Sequence, residues 1–331
     1  MKSNYFIFLI IICILLSISA VAAGGDEVAL NSDDNYQIIE SNQDLTYNAI
    51  CKSCDEGLIQ SNGESANFTQ FHEDIINSGG TFNLSHGYAY ENDDVDSGVF
   101  GIDDLVINGN NNVIDGRGSD FLFSFYPEVG SRCSLVINDL TFVNFNSSPL
   151  KFEKGVFTLN NVNITNCYVE DYELISTEDE IDLTLNGCNF YSNDVKGYLL
   201  AGKSRIMIYN SNFLGGVCRN SAIELNRTQL FIENSSFENC NARHGSIINF
   251  KGDCFKIRNS KFKNSWANST GGAIIAKYFP LYEILDDDSR IFIPSDDMII
   301  DKCTFSNISS SSNEGLFILT LIQHLNIFLK A

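Results

Sequence analysis

The amino-acid sequence predicts an all-β fold, a parallel β-helix (solenoid) in which like coils of chain stack into a rod, with a short capping helix at the N-terminal end. Two observations carry this expectation. One motif recurs at nearly constant spacing, and the segments between its copies read as short β-type runs broken by Gly, Asn, Ser and Asp, with no apolar period of 3.6.

The motif is plainest in "IENSSFENC" (Ile232 to Cys240) and "IRNSKFKNS" (Ile257 to Ser265), where Ile, Asn, Ser, Phe and Asn hold identical places. Variants occur at "NDLTFVN", "NNVNITN", "NGCNFYS", "YNSNFLG" and "DKCTFSN". Their apolar anchors are Phe142, Ile164, Phe190, Phe213, Phe237, Phe262 and Phe305, separated by 22, 26, 23, 24, 25 and 43 residues. A fixed period of roughly 20 to 50 residues marks a solenoid, each copy forming one structural turn. The long last interval predicts an inserted further turn around Lys277 to Asp297. A leucine-rich repeat does not fit, because the copies lack its Leu frame and its helical return.

Stacking at the ~4.8 Å strand spacing places each anchor over its equivalent, in a continuous internal column. Burying each is worth ~1.5–3 kcal/mol. Asn recurs two places after the anchor, at Asn144, Asn166, Asn239, Asn264 and Asn307, with Ser192 and Gly215 in the other copies. These amides are expected to form a second ladder, bonding one another and the backbone where the chain bends, with Asn307 assigned to the interior.

Ahead of the repeats, residues 1–23 read as a secretory signal: a Lys near the start, an apolar run from Tyr5 to Ile18, then Ala20, Ala22 and Ala23. Residues 24–65 read as a flexible acidic leader. The β-helix domain is expected over residues 66–331. "NFTQFHEDIINSGGTFNL" reads as a helix from about Thr69 to Asn77, a Gly79-Gly80 stop and a first strand at Thr81 to Leu84. The helix is the candidate cap, because an open solenoid end invites pairing with other chains.

Composition narrows the function classes. The chain has 331 residues, 44% of them apolar, and a net charge of −21 with scattered Lys and Arg. It can bury a sizeable core, and it has no basic footprint for nucleic acid. Export leaves nine of the ten cysteines, so at least one is unpaired or bonds another chain. Cys51 and Cys54 form a CxxC, read as a local disulfide or free thiols.

The signal, the "GGTFNLSHGYAY" capping turn, "LVINGNNNVIDGRG", the "[ND]SxFxN" copies and "GGAI" (Gly271 to Ile274) together resemble the adhesin-like surface proteins of methanogenic archaea. The resemblance spans about residues 66 to 313. It implies a right-handed β-helix of the pectate-lyase-like type, a secreted or cell-surface location, and non-enzymatic contact with surface or host glycans or other cells. It brings no catalytic residue, no cofactor and no metal. The end of the chain departs from the pattern: "LFILTLIQHLNIFLKA" reads as a final rung or cap, as the end of a truncated product, or as a short spanning helix.

Two other functions stay open on the same scaffold: a polysaccharide lyase or glycoside hydrolase, and a fragment of a longer adhesin. Hydrolysis needs two carboxylates facing one another across a sugar. The acidic cluster Glu170, Asp171, Glu173, Glu178, Asp179, Glu180 and Asp182 meets Val195, Lys196 and Leu199 in phase, so no such pair emerges. Arg219 and Arg243 share one offset on adjacent turns. They are expected as solvated outer residues, or else as a contact for an acidic glycan. The acidic runs at Asp93 to Gly98, Asp286 to Asp288 and Asp296–Asp297 lack a calcium-loop frame and are assigned to solvation. Eight Asn-x-Ser/Thr sequons occur, and Asn67, Asn226 and Asn268 are the expected glycan acceptors.

Overall fold

The computed structural model describes residues 65–94, 98–128, 130, 132–178, 180–242, 247–267, 272–278, 282–284, 290–292, 298–310, 317–320 and 327–330. The signal segment, the leader up to residue 64, Cys51, Cys54, Asn268, Arg243 and the acidic runs at 286–288 and 296–297 lie outside the described residues.

The chain winds as a β-solenoid in which strands pair in parallel with their counterparts one coil away. Val106, Val136, Thr158, Thr184, Met207, Phe231, Lys256 and Ile299 occupy equivalent positions in eight successive coils. One coil illustrates the rest. Arg205–Tyr209 leads through a tight corner into Asn212–Cys218, and Ile223–Glu233 closes the circuit beside Arg205–Tyr209. Side chains alternate along each strand. Ile206 and Ile208 are buried, while Arg205, Met207 and Tyr209 face outward.

The seven anchors fall in one register, Phe142 beside Ile164 and so on to Phe262 beside Phe305. From Phe190 onward the rings lie face to face, at 4.6, 4.6, 4.9 and 4.8 Å, with interplanar angles of 9° or less. The column also reaches back through Ile114 to Tyr88, which the sequence pattern missed because neither sits in an NSxF frame.

Each letter of the motif has a physical task. In Asn234-Ser235-Ser236-Phe237-Glu238-Asn239, the two asparagines occupy left-handed backbone at φ 52° and 57°. That region is sterically costly for most L-residues and least so for Asn and Gly. Counterparts of the first are Asp139, Asn161, Gly187, Asn210, Asn259 and Lys302; counterparts of the second are Asn144, Asn166, Ser192, Gly215, Asn264 and Asn307, all at positive φ. The two apparent exceptions, Ser192 and Gly215, therefore keep the corner without the amide.

Between the corners, Ser235 turns inward. Its hydroxyl accepts from the Ser211 N–H at 3.2 Å and donates to the Glu233 carbonyl at 2.9 Å. Ser211 and Ser260 do the same in their coils, serving the N–H groups of Cys188 and Ser235. Bending takes these N–H groups out of the strand ladder, and a buried donor left alone costs ~1–3 kcal/mol. The serine one coil on supplies the acceptor.

The capping helix is Phe68–Asn77, and Phe68, Phe71 and Ile75 bury its inner face. Phe68 packs edge-on against Phe121 at 4.7 Å, and Phe71 against Tyr88 at 4.8 Å. Asn67 is the N-cap, its side chain accepting from the Gln70 N–H at 2.9 Å. Asp94 completes the start of the helix, accepting from the N–H groups of Phe68, Thr69 and Glu91 and from the Thr69 hydroxyl. The sequence reading assigned Asp94 to solvation, yet it is buried and ties the cap to the rod.

One expectation changes. The 43-residue interval between Phe262 and Phe305 holds no further turn, because these rings are direct neighbours. Part of the insertion instead forms a separate antiparallel pair, Tyr282–Ile284 with Arg290–Phe292. The closing apolar segment contributes strands Phe317–Thr320 and Ile327–Lys330, each paired in parallel with the preceding coil, so it is a rung. Among the described residues, no helix is long and apolar enough to cross a membrane.

Cys133, Cys167, Cys188, Cys218 and Cys240 are free thiols within the core, and Cys303 is free and half-buried. Cys188 and Cys303 replace serine in the inward position, directing Sγ toward the Asn186 and Asp301 carbonyls. Burial pushes the thiols of Cys133 and Cys188 up to about 11, and those of Cys167 and Cys240 up to about 12.

Three outcomes follow from this packing. Phe237→Ala, which opens the stack on both sides, should lower the free energy of unfolding in urea by ~3–5 kcal/mol. Asn166→Ala should destabilise by about 1 kcal/mol more than Asn166→Gly, since only the former strains the left-handed corner. The thiol pKa values are raised on folding, so their contribution is complete below pH 9 and lost as pH climbs through about 11 to 12. The midpoint of thermal unfolding should accordingly decline above pH 9, and iodoacetamide should label these five core thiols only after unfolding.

Candidate functional site

The corner shared by the first and second strands of each coil carries columns of side-chain amides. Asn108, Asn138, Asn160, Asn186, Asn210 and Asn234 each donate Nδ2 to the Oδ1 of the preceding member, starting at Asn83, over 2.8 to 3.5 Å. From Asn186 to Asn210 the ladder steps from the strand end onto the left-handed corner residue, because Tyr209 takes the strand position. A parallel column runs from Thr141 through Asn163 and Asn189 to Asn212. All of these amides are exposed or half-buried.

The asparagines expected two places after the anchor lie on the next corner. Asn144 donates to Asp115 at 2.9 Å, Asn166 to Asn144 at 2.5 Å and Asn307 to Asn264 at 3.0 Å. They are half-buried or exposed, so Asn307 sits on the outer surface and not in the interior. The signal that could have found the longer column is the Asn beginning each NSxF copy together with the Asn closing the preceding strand.

One coil departs from regular stacking. Val169 pairs with Val195 and Glu173 with Gly197, so Glu170, Asp171 and Tyr172 bulge out opposite the single residue Lys196. The bulge gathers side chains from three coils. Arg219 lies over the Tyr168 ring at 5.6 Å, donates Nη2 to the Tyr168 hydroxyl at 3.2 Å and pairs with Glu170 at 3.4 Å. Its buried Nη1 makes that ion pair without reaching hydrogen-bond geometry. Lys196 pairs with the buried Glu173 at 3.3 Å and donates to the Asp171 carbonyl at 3.3 Å. Tyr168 and Tyr172 remain 46% and 58% exposed.

This arrangement revises the reading of Arg219 as a solvated residue: it is held against an aromatic face and a carboxylate. The acidic cluster is likewise partitioned. Glu170 and Glu173 belong to the bulge, Glu178 pairs with Lys151 at 3.1 Å, and Asp182 with Arg132 at 3.1 Å.

Of the expected glycan acceptors, Asn67 caps the helix and Asn226 is exposed within the strand Ile223–Glu233. The amide nitrogens of four further sequons, Asn146, Asn163, Asn234 and Asn307, are engaged as donors. Among the described residues, no group of three His, Cys, Asp or Glu side chains is placed to hold a metal ion. No family model matches the chain, and neither a curated protein nor a solved structure matches it.

Proposed function

We propose that the chain is an exported, non-enzymatic surface protein of the adhesin-like kind, whose rod presents repeating polar columns to cell-surface or host glycans. The amide ladder carries this reading. A side-chain amide has two N–H donors and an oxygen with two lone pairs. Each asparagine uses one N–H along the column, toward the preceding coil. The rest of its capacity faces outward at the ~4.8 Å coil spacing. A polymer with regularly repeated hydroxyls can engage several coils in succession, so weak single contacts add through multivalency.

The test presents the purified full chain to a panel of immobilised glycans and assays each for cleavage. Saturable binding without turnover is the expected result. The double substitution N160A/N186A should weaken it about tenfold, equivalent to 1.4 kcal/mol, with an unchanged circular dichroism spectrum. Release of reducing ends or unsaturated uronides would replace this reading with a polysaccharide-cleaving enzyme. Absence of binding to every glycan would remove the contact role.

A further inference from the structure

We propose that the bulge at Glu170–Tyr172 is a discrete saccharide subsite, and that it takes an uncharged pyranose unit. The inference rests on the glycan-contact reading and narrows it to one place and one ligand class.

Two features converge there. Tyr172 lies within the bulge and Tyr168 beside it, 58% and 46% exposed. Aromatic faces stack on the apolar face of a sugar ring, gaining dispersion and water release. Around them stand oriented polar groups. Arg219 is fixed by Tyr168 and Glu170, and Lys196 by Glu173, so donors and acceptors are held in place before a ligand arrives. Fixed partners lower the ordering cost of binding.

Charge selects the ligand class. Both local cations are already paired with carboxylates, and Asp171 and Asp194 add further negative charge beside them. The whole chain carries −21. A polyuronate or sulfated glycan would meet repulsion there, whereas hydroxyls of a neutral ring can bridge the paired groups without separating them.

Titration calorimetry of the full-length chain with cellohexaose, mannohexaose, chitohexaose and hexagalacturonate tests this at about 50 and about 500 mM NaCl, a range over which screening changes strongly. At least one neutral hexaose should bind with an affinity independent of salt. Tyr172→Ala should weaken it tenfold or more, and Tyr172→Phe should restore it. Tyr172 is 58% exposed, so neither variant removes core packing. If a neutral hexaose binds and Tyr172→Ala has no effect, the subsite is overturned while the glycan-contact reading stands. If hexagalacturonate alone binds, and more weakly in high salt, the ligand class is wrong. If none of the four binds, the subsite is overturned, and the glycan panel decides the broader reading separately.

Discussion

The constraint on which this structure depends is that every side chain has its own equivalents as its nearest vertical neighbours. A choice made at one position must therefore be compatible with itself, repeated at the strand spacing. Flat aromatic rings satisfy this by stacking, as Phe213, Phe237 and Phe262 do. Asparagine satisfies it by being both donor and acceptor, so a column of amides closes its own hydrogen bonds. Serine satisfies it at the inward corner by accepting from one coil and donating within its own. Charged residues do not satisfy it unless signs alternate. Where Glu238 and Lys263 stand on adjacent coils they form a pair at 3.8 Å.

The same rule decides what could be read from the chain alone. The stretch from the first left-handed corner to the second is rigid in length, because corner, inward serine and anchor all depend on fixed spacing. That stretch is the NSxFxN motif, and so the anchor column and its register were legible. The return from the second corner to the next coil's first strand is free in length, and there the signal fades. Tyr88 and Ile114 continue the anchor column without the flanking motif. Asp94 reads as one more acid in an acidic run, and only the fold brings it to the helix start. The purpose of the recurrent Asn was also only partly visible: hydrogen bonding was foreseen, but the left-handed backbone that Ser192 and Gly215 share was not.

The bulge was invisible for a related reason. Two extra residues in a 26-residue interval look like ordinary scatter among periods of 22 to 25. Their significance comes from Arg219, about fifty residues away in sequence and two coils away in space, reaching back to Tyr168. In a solenoid, residues one period apart are neighbours, so a site can be assembled from distant stretches that no local motif links. Regular columns supply the support, and a local break in them exposes the side chains that the regular pattern would have buried or replaced.

The neighbouring of Phe262 and Phe305 has a broader meaning. The rod closed its ranks across an excursion nearly as long as a coil, which makes that bend a tolerant doorway in an otherwise strict architecture. Lineages could vary the cargo carried at such a doorway, or an engineer could graft a peptide there, while the spine beneath went on unaltered.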